Sequence, residues 1–253
     1  MKVSIITVCL NSKDTIEDTI QSVLSQSYHD VDHVIVDGGS TDGTLDIINK
    51  YRDDLHQIIS EKDDGIYYAM NKGVSAARGE IVGCLNSDDQ YADDTVIENV
   101  VRSIAENNTD SCYGDMIYID KDHSEKIVRY WKAGKFNRNK FKWGWMPPHP
   151  TFFVKKDVYE KFGLFDTNFP ITSDYELMLR FLYKHNISTT YIPRVMVRMR
   201  VHGSSHPSFS KTSKNIVANY RAWKVNDLSI IPLMMLFKPL SKISQFKFRN
   251  NLL

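Results

Sequence analysis

The residues best suited to do chemistry are acids that recur along the first hundred positions. Asp37, then Glu61 with Asp63, then Asp88 with Asp89, each follow a short apolar run. One such acid would mean little, because Asp is a common turn residue and helix cap. Three in series form a pattern. The sharpest case is Cys84-Leu85-Asn86-Ser87-Asp88-Asp89, where an apolar run delivers an Asn and two adjacent carboxylates into a polar turn. Mg²⁺ and Mn²⁺ take oxygen ligands and typically need only one or two carboxylates beside a substrate's phosphates. This turn could supply that chemistry; the plainer reading makes Asp88 and Asp89 caps of the next turn. Further on, Asp174 opens an apolar-periodic stretch and could serve as a general base or as a first-turn acid favoured by the helix dipole. His149, His202, Trp143 and Trp145 complete the set. The indoles could stack on a flat ligand face or pack in the core.

Such side chains need rigid elements behind them. Residues 3–10, 31–36, 55–60 and 80–85 read as strands. Between them run helical stripes: Ile16, Ile20, Val23 and Leu24, then Leu45, Ile48 and Tyr51, then Ile66, Met70, Val74 and Ala77. Asp14 with Glu17 offers a capping box for the first helix, and Asp42 a cap for the second. Strands alternating with helices imply an α/β fold with a mostly parallel, Rossmann-like sheet flanked by helices. Ligands in such sheets sit at the carboxyl ends of the strands, where these acids fall. After a helix at 96–104 the pattern shifts. Strands at 111–119 and 126–131 suggest an antiparallel pair. A loop rich in Trp and Pro follows, then a strand at 151–154 and helices at 157–162 and 173–185. Strands at 189–192 and 195–201 close the series. The Ser-rich stretch 203–213 marks the boundary. One domain is expected over 1–205, with a first half over 1–105 and a second over 106–205 (the nucleotide-sugar and acceptor halves in the resemblance described below), followed by a helical tail over 206–253.

Composition narrows the function classes. The 253 residues are 42% hydrophobic and 25% charged, with 32 Lys plus Arg against 31 Asp plus Glu. A net charge of +1 argues against a dedicated nucleic-acid binder and against a disordered chain. Cys9, Cys84 and Cys112 form no C-x-x-C pair and lie in apolar runs, which fits buried, reduced thiols in a cytoplasmic protein. No run reaches the ~20 apolar residues of a membrane span. The opening ten residues lack a small-residue cleavage site and read as a strand. The tail is apolar from Ile230 to Phe237 and then carries Lys238, Lys242, Lys247 and Arg249. It could lie at a membrane interface or pack on the domain or a dimer partner.

Several motifs in order resemble glycosyltransferase family 2. They are Ser4-Ile5-Ile6-Thr7-Val8 with Asn11, the run Val36 to Thr44 (VDGGSTDGT), and the run Ser60 to Gly73 (SEKDDGIYYAMNKG). Asn86-Ser87-Asp88-Asp89 resembles the family's Asp-x-Asp metal motif, and Gly163 to Asp166 with Ser173 to Arg180 its acceptor-side signature. The resemblance spans roughly residues 2–206. It implies a GT-A fold, an antiparallel acceptor-side part, and inverting transfer of a sugar from a nucleoside diphosphate, usually UDP. Thr7, Asn11 and Asp37 would line the uracil and ribose pocket, with Asp63 nearby and Asn86 and Asp88 at the nucleotide sugar. Asp88 and Asp89, with His202, would hold Mn²⁺ or Mg²⁺. Asp174 would be the base, and His149 and Trp145 would border the acceptor. Asn86 replaces an Asp that many members carry, and Ser173 replaces a Glu.

The resemblance further implies bacterial surface-polysaccharide assembly on a sugar–diphosphate–lipid acceptor at the cytoplasmic leaflet, with the tail as a peripheral inner-membrane contact. The chain has no Gln-x-x-Arg-Trp motif, so one sugar per acceptor is expected. Whether the chain forms a homo-oligomer is left open. Two rivals remain. A nucleotidyltransferase should carry a Gly-rich phosphate loop near its start, yet residues 7–14 contain no Gly. A non-catalytic nucleotide-sugar or glycan binder would fit Asn86 but not the retention of Asp88 and Asp174.

Overall fold

The computed structural model describes residues 1–120, 126–201 and 209–229. Four parallel strands form its first half: β1 (Val3–Cys9), β2 (Val31–Asp37), β3 (Gln57–Ser60) and β4 (Ile81–Cys84), in the order β3-β2-β1-β4. β1 is buried at every residue, as a central parallel strand covered on both faces must be. Its side chains alternate between two cores. Ile6 and Val8 face a cluster built on α3 (Ile66–Ala76), while Val3 and Ile5 join one built on α4 (Val96–Asn107). α1 (Ile16–Leu24) and α2 (Thr44–Lys50) close a smaller cluster around Ile35. Gly73 brings the α3 backbone against β1, because a Cβ there would collide with the Ile6 side chain.

The sheet continues beyond β4 through β8 (Phe153–Lys155), β6 (Ser111–Asp120), β9 (Thr189–Val201) and the short β5 (Asp89–Tyr91). β7 (Ile127–Trp131) pairs antiparallel with β6, as its sequence suggested. Parallel pairing otherwise recurs only between β6 and β9, so the nine-stranded sheet of the described residues is parallel in its first half and mixed in its second. Helices α5 (Lys156–Phe162), α6 (Ser173–Met178) and α7 (Phe209–Val225) pack with α3 on one face.

The structure corrects several expectations. Asp14 does not cap α1: Thr15 holds that position, and Glu17 accepts a hydrogen bond from Tyr51 at 2.8 Å. Asp42 likewise lies one residue before the α2 N-cap, Gly43, although its carboxylate accepts from the Thr44 amide at 3.0 Å. The expected helix over 173–185 is α6 followed by a π-helical turn, Leu179–Lys184. The two strands expected around Pro193 are one strand, β9, whose register against β6 slips beside Gly114 and Asp115. β5 was not foreseen. Among the described residues no helix is long and apolar enough to cross a membrane. The tail from residue 230 onward lies outside the described residues.

α7 lies beyond the expected boundary near residue 205 yet packs into the same core. Trp223 is fully buried, and its Nε1 donates to the Tyr175 hydroxyl at 2.9 Å. Asn226 donates to Glu176 at 2.9 Å, and Glu176 is ion-paired with Arg180 at 2.9 Å. Truncating a buried Trp should cost about 3–5 kcal/mol. Trp223→Ala should therefore lower the urea midpoint by that equivalent; a loss below about 1 kcal/mol would detach α7 from the folded core.

Candidate functional site

A cavity of about 560 Å³ opens at the carboxyl ends of the parallel strands. The loop after β1 contributes Asn11 and Ser12, the end of β2 Gly38, the segment after β3 Asp63, and the turn after β4 Asn86, Ser87 and Asp88. Gly65 and Ile66 present the start of α3, and Met199 and Arg200 approach from β9. The amino end of an eleven-residue helix beside oxygen-rich turns suits a phosphate-bearing ligand.

The β1 loop is tied down before any ligand arrives. Asn11 sits at φ 49°, which Asn tolerates better than most residues. Its carboxamide accepts from the Thr41 amide at 2.9 Å and its own amide donates to Ser40 at 2.8 Å. The Ser12 amide donates to Thr44 at 2.8 Å, and its hydroxyl shares a 2.9 Å hydrogen bond with Ser87 across the cavity floor.

The five strand-end carboxylates are held in different ways. Asp37 is fully buried at the end of β2 and is not among the cavity-lining residues. It accepts from Ser60 at 2.8 Å, from the Gly39 amide at 3.1 Å, and from both the amide and hydroxyl of Ser40. Burial pushes its carboxyl up, but these donors outweigh it and hold Asp37 below the usual carboxylate range. Asp63 reaches the cavity while ion-paired with Lys72, which also binds Glu61 at 2.6 Å. Its second oxygen is buried without a partner, a vacancy that a ligand's donor could fill.

Asp88 and Asp89 part company. Asp88 lines the cavity. Asp89 is fully buried at the start of β5, where it accepts from the Asn86 side chain at 3.1 Å. Burial first, and then the charge of Asp88, push the Asp89 carboxyl well above its ordinary range, against the opposing pull of Asn86 and Arg200. Burial thus favours its neutral form, and it is not among the cavity-lining residues. Among the described residues no three His, Cys, Asp or Glu side chains gather as a metal centre. The donor set that does face the cavity, Asp88 with the carbonyl end of Asn86, still fits a cation whose remaining ligands are phosphate oxygens and water.

Thr7 does not reach the cavity. It is fully buried within β1, and its hydroxyl shares a 2.9 Å hydrogen bond with His33 Nε2. His202 lies outside the described residues. Trp145 packs in an aromatic cluster, edge-on to Phe141 at 5.9 Å and to Tyr113 at 6.2 Å, with Lys140 over its ring. Trp143 is exposed.

Asp174 does not line the nucleotide-sized cavity but is tied to α3, whose first residues do. It is half-buried in the first turn of α6. Its Oδ1 accepts from the Tyr175 amide at 2.8 Å and from the Tyr67 hydroxyl at 3.3 Å. Tyr67 belongs to α3, one residue after the cavity-lining Ile66. Asn71, one turn on, brackets the loop that leads to Asp174, donating to the Phe165 carbonyl and accepting from its amide, each at 2.9 Å. His149 packs edge-on to Phe165 at 5.7 Å. Burial lowers its basicity, against the upward pull of the Asp174 charge, so the two side chains share one neighbourhood.

Sequence reasoning overlooked Tyr67, Ser12, Ser87 and Arg200. Tyr67 lay within a quoted motif, but nothing in the sequence shows which side of α3 it occupies. Arg200 lines the cavity two residues before His202, ion-paired with Asp18.

Comparisons with known proteins bear on the family and the fold. The chain matches the model of Glycosyl transferase family 2 over residues 4–163. It is 28% identical over 218 residues to a PGL/p-HBAD biosynthesis glycosyltransferase of Mycobacterium bovis (strain BCG / Pasteur 1173P2), covering 85% of this chain and 80% of that one. The structure of S. aureus TarS 1–349 in complex with UDP-GlcNAc superposes with a TM-score of 0.69 at 16% identity, covering 94% of this chain and 71% of that chain. Against the longer TarS chain, the match covers 44% of its length. A mannosyltransferase from Pyrobaculum calidifontis, solved with GDP-Man and Mn²⁺, gives a TM-score of 0.66 at 16% identity over 95% of this chain and 69% of that chain. At these identities the superpositions speak to the fold, which is the GT-A type.

The buried Thr7–His33 pair generates a pH prediction. Burial lowers the His33 pKa from 6.5 to about 3, and its Nδ1 has no partner. The unfolded chain therefore takes up the proton first, and this contribution to stability declines as pH falls from about 6.5 towards 3, by up to about 1.4 kcal/mol per pH unit. In urea titrations at about pH 7 and about pH 5, His33→Gln should lose less stability between the two than the wild type does. Equal losses would mean that His33 is protonated within the fold.

Proposed function

The chain belongs to glycosyl transferase family 2, and from that premise we propose that it is an inverting, metal-assisted hexosyltransferase using a UDP-sugar donor. The acceptor is a hydroxyl of a glycan, carried on a lipid diphosphate in bacterial surface-polysaccharide assembly, and each acceptor receives one sugar. The reading rests above all on the placement of Asp88 and Asp174. Asp88 lines the phosphate-sized cavity, and Asp174 is hydrogen-bonded to Tyr67, the residue after the cavity-lining Ile66.

In this reading the uracil and ribose occupy the cavity between the β1 loop and Asp63, with Asn11 and Ser12 on one wall. Asp37 acts from behind that wall, fixing the turn that carries Gly38 and Gly39. Asp88 and the carbonyl of Asn86 would hold Mn²⁺ or Mg²⁺. When bound, the ion offsets the negative charge that builds on the departing diphosphate. Arg200 and the first amides of α3 add donors on the same side.

Asp174 removes the proton from the acceptor hydroxyl as that oxygen attacks the anomeric carbon. The new carbon–oxygen bond forms on the face opposite the breaking bond to the diphosphate, so the anomeric configuration inverts and UDP leaves. Tyr67 and the Tyr175 amide hold Oδ1, which leaves Oδ2 to take the proton. His149 borders the same space and helps exclude water from it. The apolar, basic stretch after residue 229 would bring the enzyme to the membrane that carries the acceptor.

Two variants separate these roles. Asp174→Asn should lower the transfer rate by about 10²–10⁴-fold while leaving UDP affinity within about twofold of wild type. Transfer at the normal rate would remove Asp174 from the base role. Asp88→Ala should abolish the increment in UDP affinity that Mn²⁺ produces in calorimetry, and an intact increment would place the ion elsewhere.

A further inference from the structure

A second cavity, of about 360 Å³, lies between the loop that precedes Asp174 and helix α7. It shares no lining residue with the nucleotide-sized cavity. Phe169, Pro170 and Ile171 form one wall, and Val217 and Ala218 the other. Ile171 is 60% exposed and Val217 67% exposed, so each wall leaves a large apolar side chain in water. A soluble surface gains nothing from that arrangement, and a ligand that covered both would.

The cavity also carries polar features that a packing defect would not need. Arg221 stands at its edge, exposed, with its guanidinium 5.1 Å from the Phe169 ring centroid. Among the described residues no carboxylate pairs with it. Thr172, in the wall, is only 7% exposed, and its hydroxyl has no hydrogen-bond partner. It occupies the N-cap position of α6 without capping the helix. A buried hydroxyl without a partner is destabilising, and an acceptor atom on a ligand would relieve that.

The position of this cavity ties it to the proposed base. Its wall runs directly into Ser173 and Asp174. The Ile171 carbonyl accepts from the Tyr67 hydroxyl at 3.0 Å, the same hydroxyl that donates to Asp174. Apolar walls with a single unpaired cation at the edge recognise an amphipathic anion: a hydrocarbon or aromatic body joined to a phosphate. A volume of this size falls within the range of small-molecule sites.

We propose that this cavity is the subsite for the acceptor's aglycone, the apolar, phosphate-bearing part to which the receiving sugar is attached. Ile171 and Val217 clasp the apolar portion, Arg221 pairs with the phosphate, and the sugar hydroxyl is left beside Asp174. The proposal rests on the reading of Asp174 as the base and adds what selects the acceptor. Arg221 and Val217 lie on α7, so the helix that closes the core would also confer acceptor specificity.

The test uses the full chain saturated with UDP, which fills the nucleotide cavity, and decyl phosphate below its aggregation concentration as the probe. Calorimetry should detect decyl phosphate binding, with inorganic phosphate and decanol each at least about tenfold weaker. Arg221→Ala should weaken decyl phosphate by about threefold or more, and Ile171→Asp with Val217→Asp by about tenfold, at unchanged melting temperature and UDP affinity. Binding that survives both sets of substitutions would assign the apolar anion to another surface, such as the basic stretch after residue 229, and would overturn the proposal. So would a wild-type protein that binds no decyl phosphate. UDP affinity in the same samples keeps the two readings apart: loss of UDP binding would undermine the transferase reading, whereas intact UDP binding without decyl phosphate binding removes the subsite alone.

Discussion

The site depends on how helix α3 is wedged between two layers. Gly73 lets its backbone lie directly on β1, which leaves no room for a side chain at the contact. From that seat its first residues face the nucleotide-sized cavity, Tyr67 reaches Asp174, and Asn71 brackets the loop at Phe165. The start of that loop is held a second time. Arg180, ion-paired with Glu176, donates to the carbonyls of Phe162, Gly163 and Leu164. The cavity and the proposed base are thus tied to the same helix. Such preorganisation matters because about an ångström of misplacement costs heavily in a displacement reaction.

A second theme is how neighbouring acids are given different tasks. Five carboxylates crowd the strand ends, yet hydrogen bonding, pairing and burial separate them. Asp37 is kept ionised by donors from Ser40, Ser60 and two backbone amides, and serves as a structural anion. Asp63 and Glu61 share Lys72. Asp89 is pushed towards the neutral form in the core, which spares Asp88 the repulsion of a second adjacent charge. The near-zero net charge of the chain conceals this division, since counting acids and bases says nothing of where they point.

Much of the first half was legible in the sequence because its signals are local. Apolar runs such as Val3–Cys9 are strands buried on both faces, and the turns after them carry polar residues whose place at the carboxyl ends follows from parallel topology. Side-chain direction was less legible. Thr7 alternates inward with the β pleat and meets His33, and Asp89 turns into the core because β5 pairs with β9. Neither fact is written in spacing. Continuous β9 was read as two strands because Pro193 looks like a break, whereas the register slip against β6 absorbs it. The packing of α7 depends on Trp223 finding Tyr175, a contact between residues 48 positions apart that no local pattern reports.

The proposed reaction is a single displacement in which Asp174 takes the acceptor's proton on the face opposite the departing diphosphate. The anomeric configuration of the product tests that claim most directly. With an α-linked UDP-sugar and a hydroxyl acceptor, proton NMR of the freshly formed glycoside should show the β-anomer alone. An α-linked product would require attack from the same face as the leaving diphosphate, and would contradict the role assigned to Asp174.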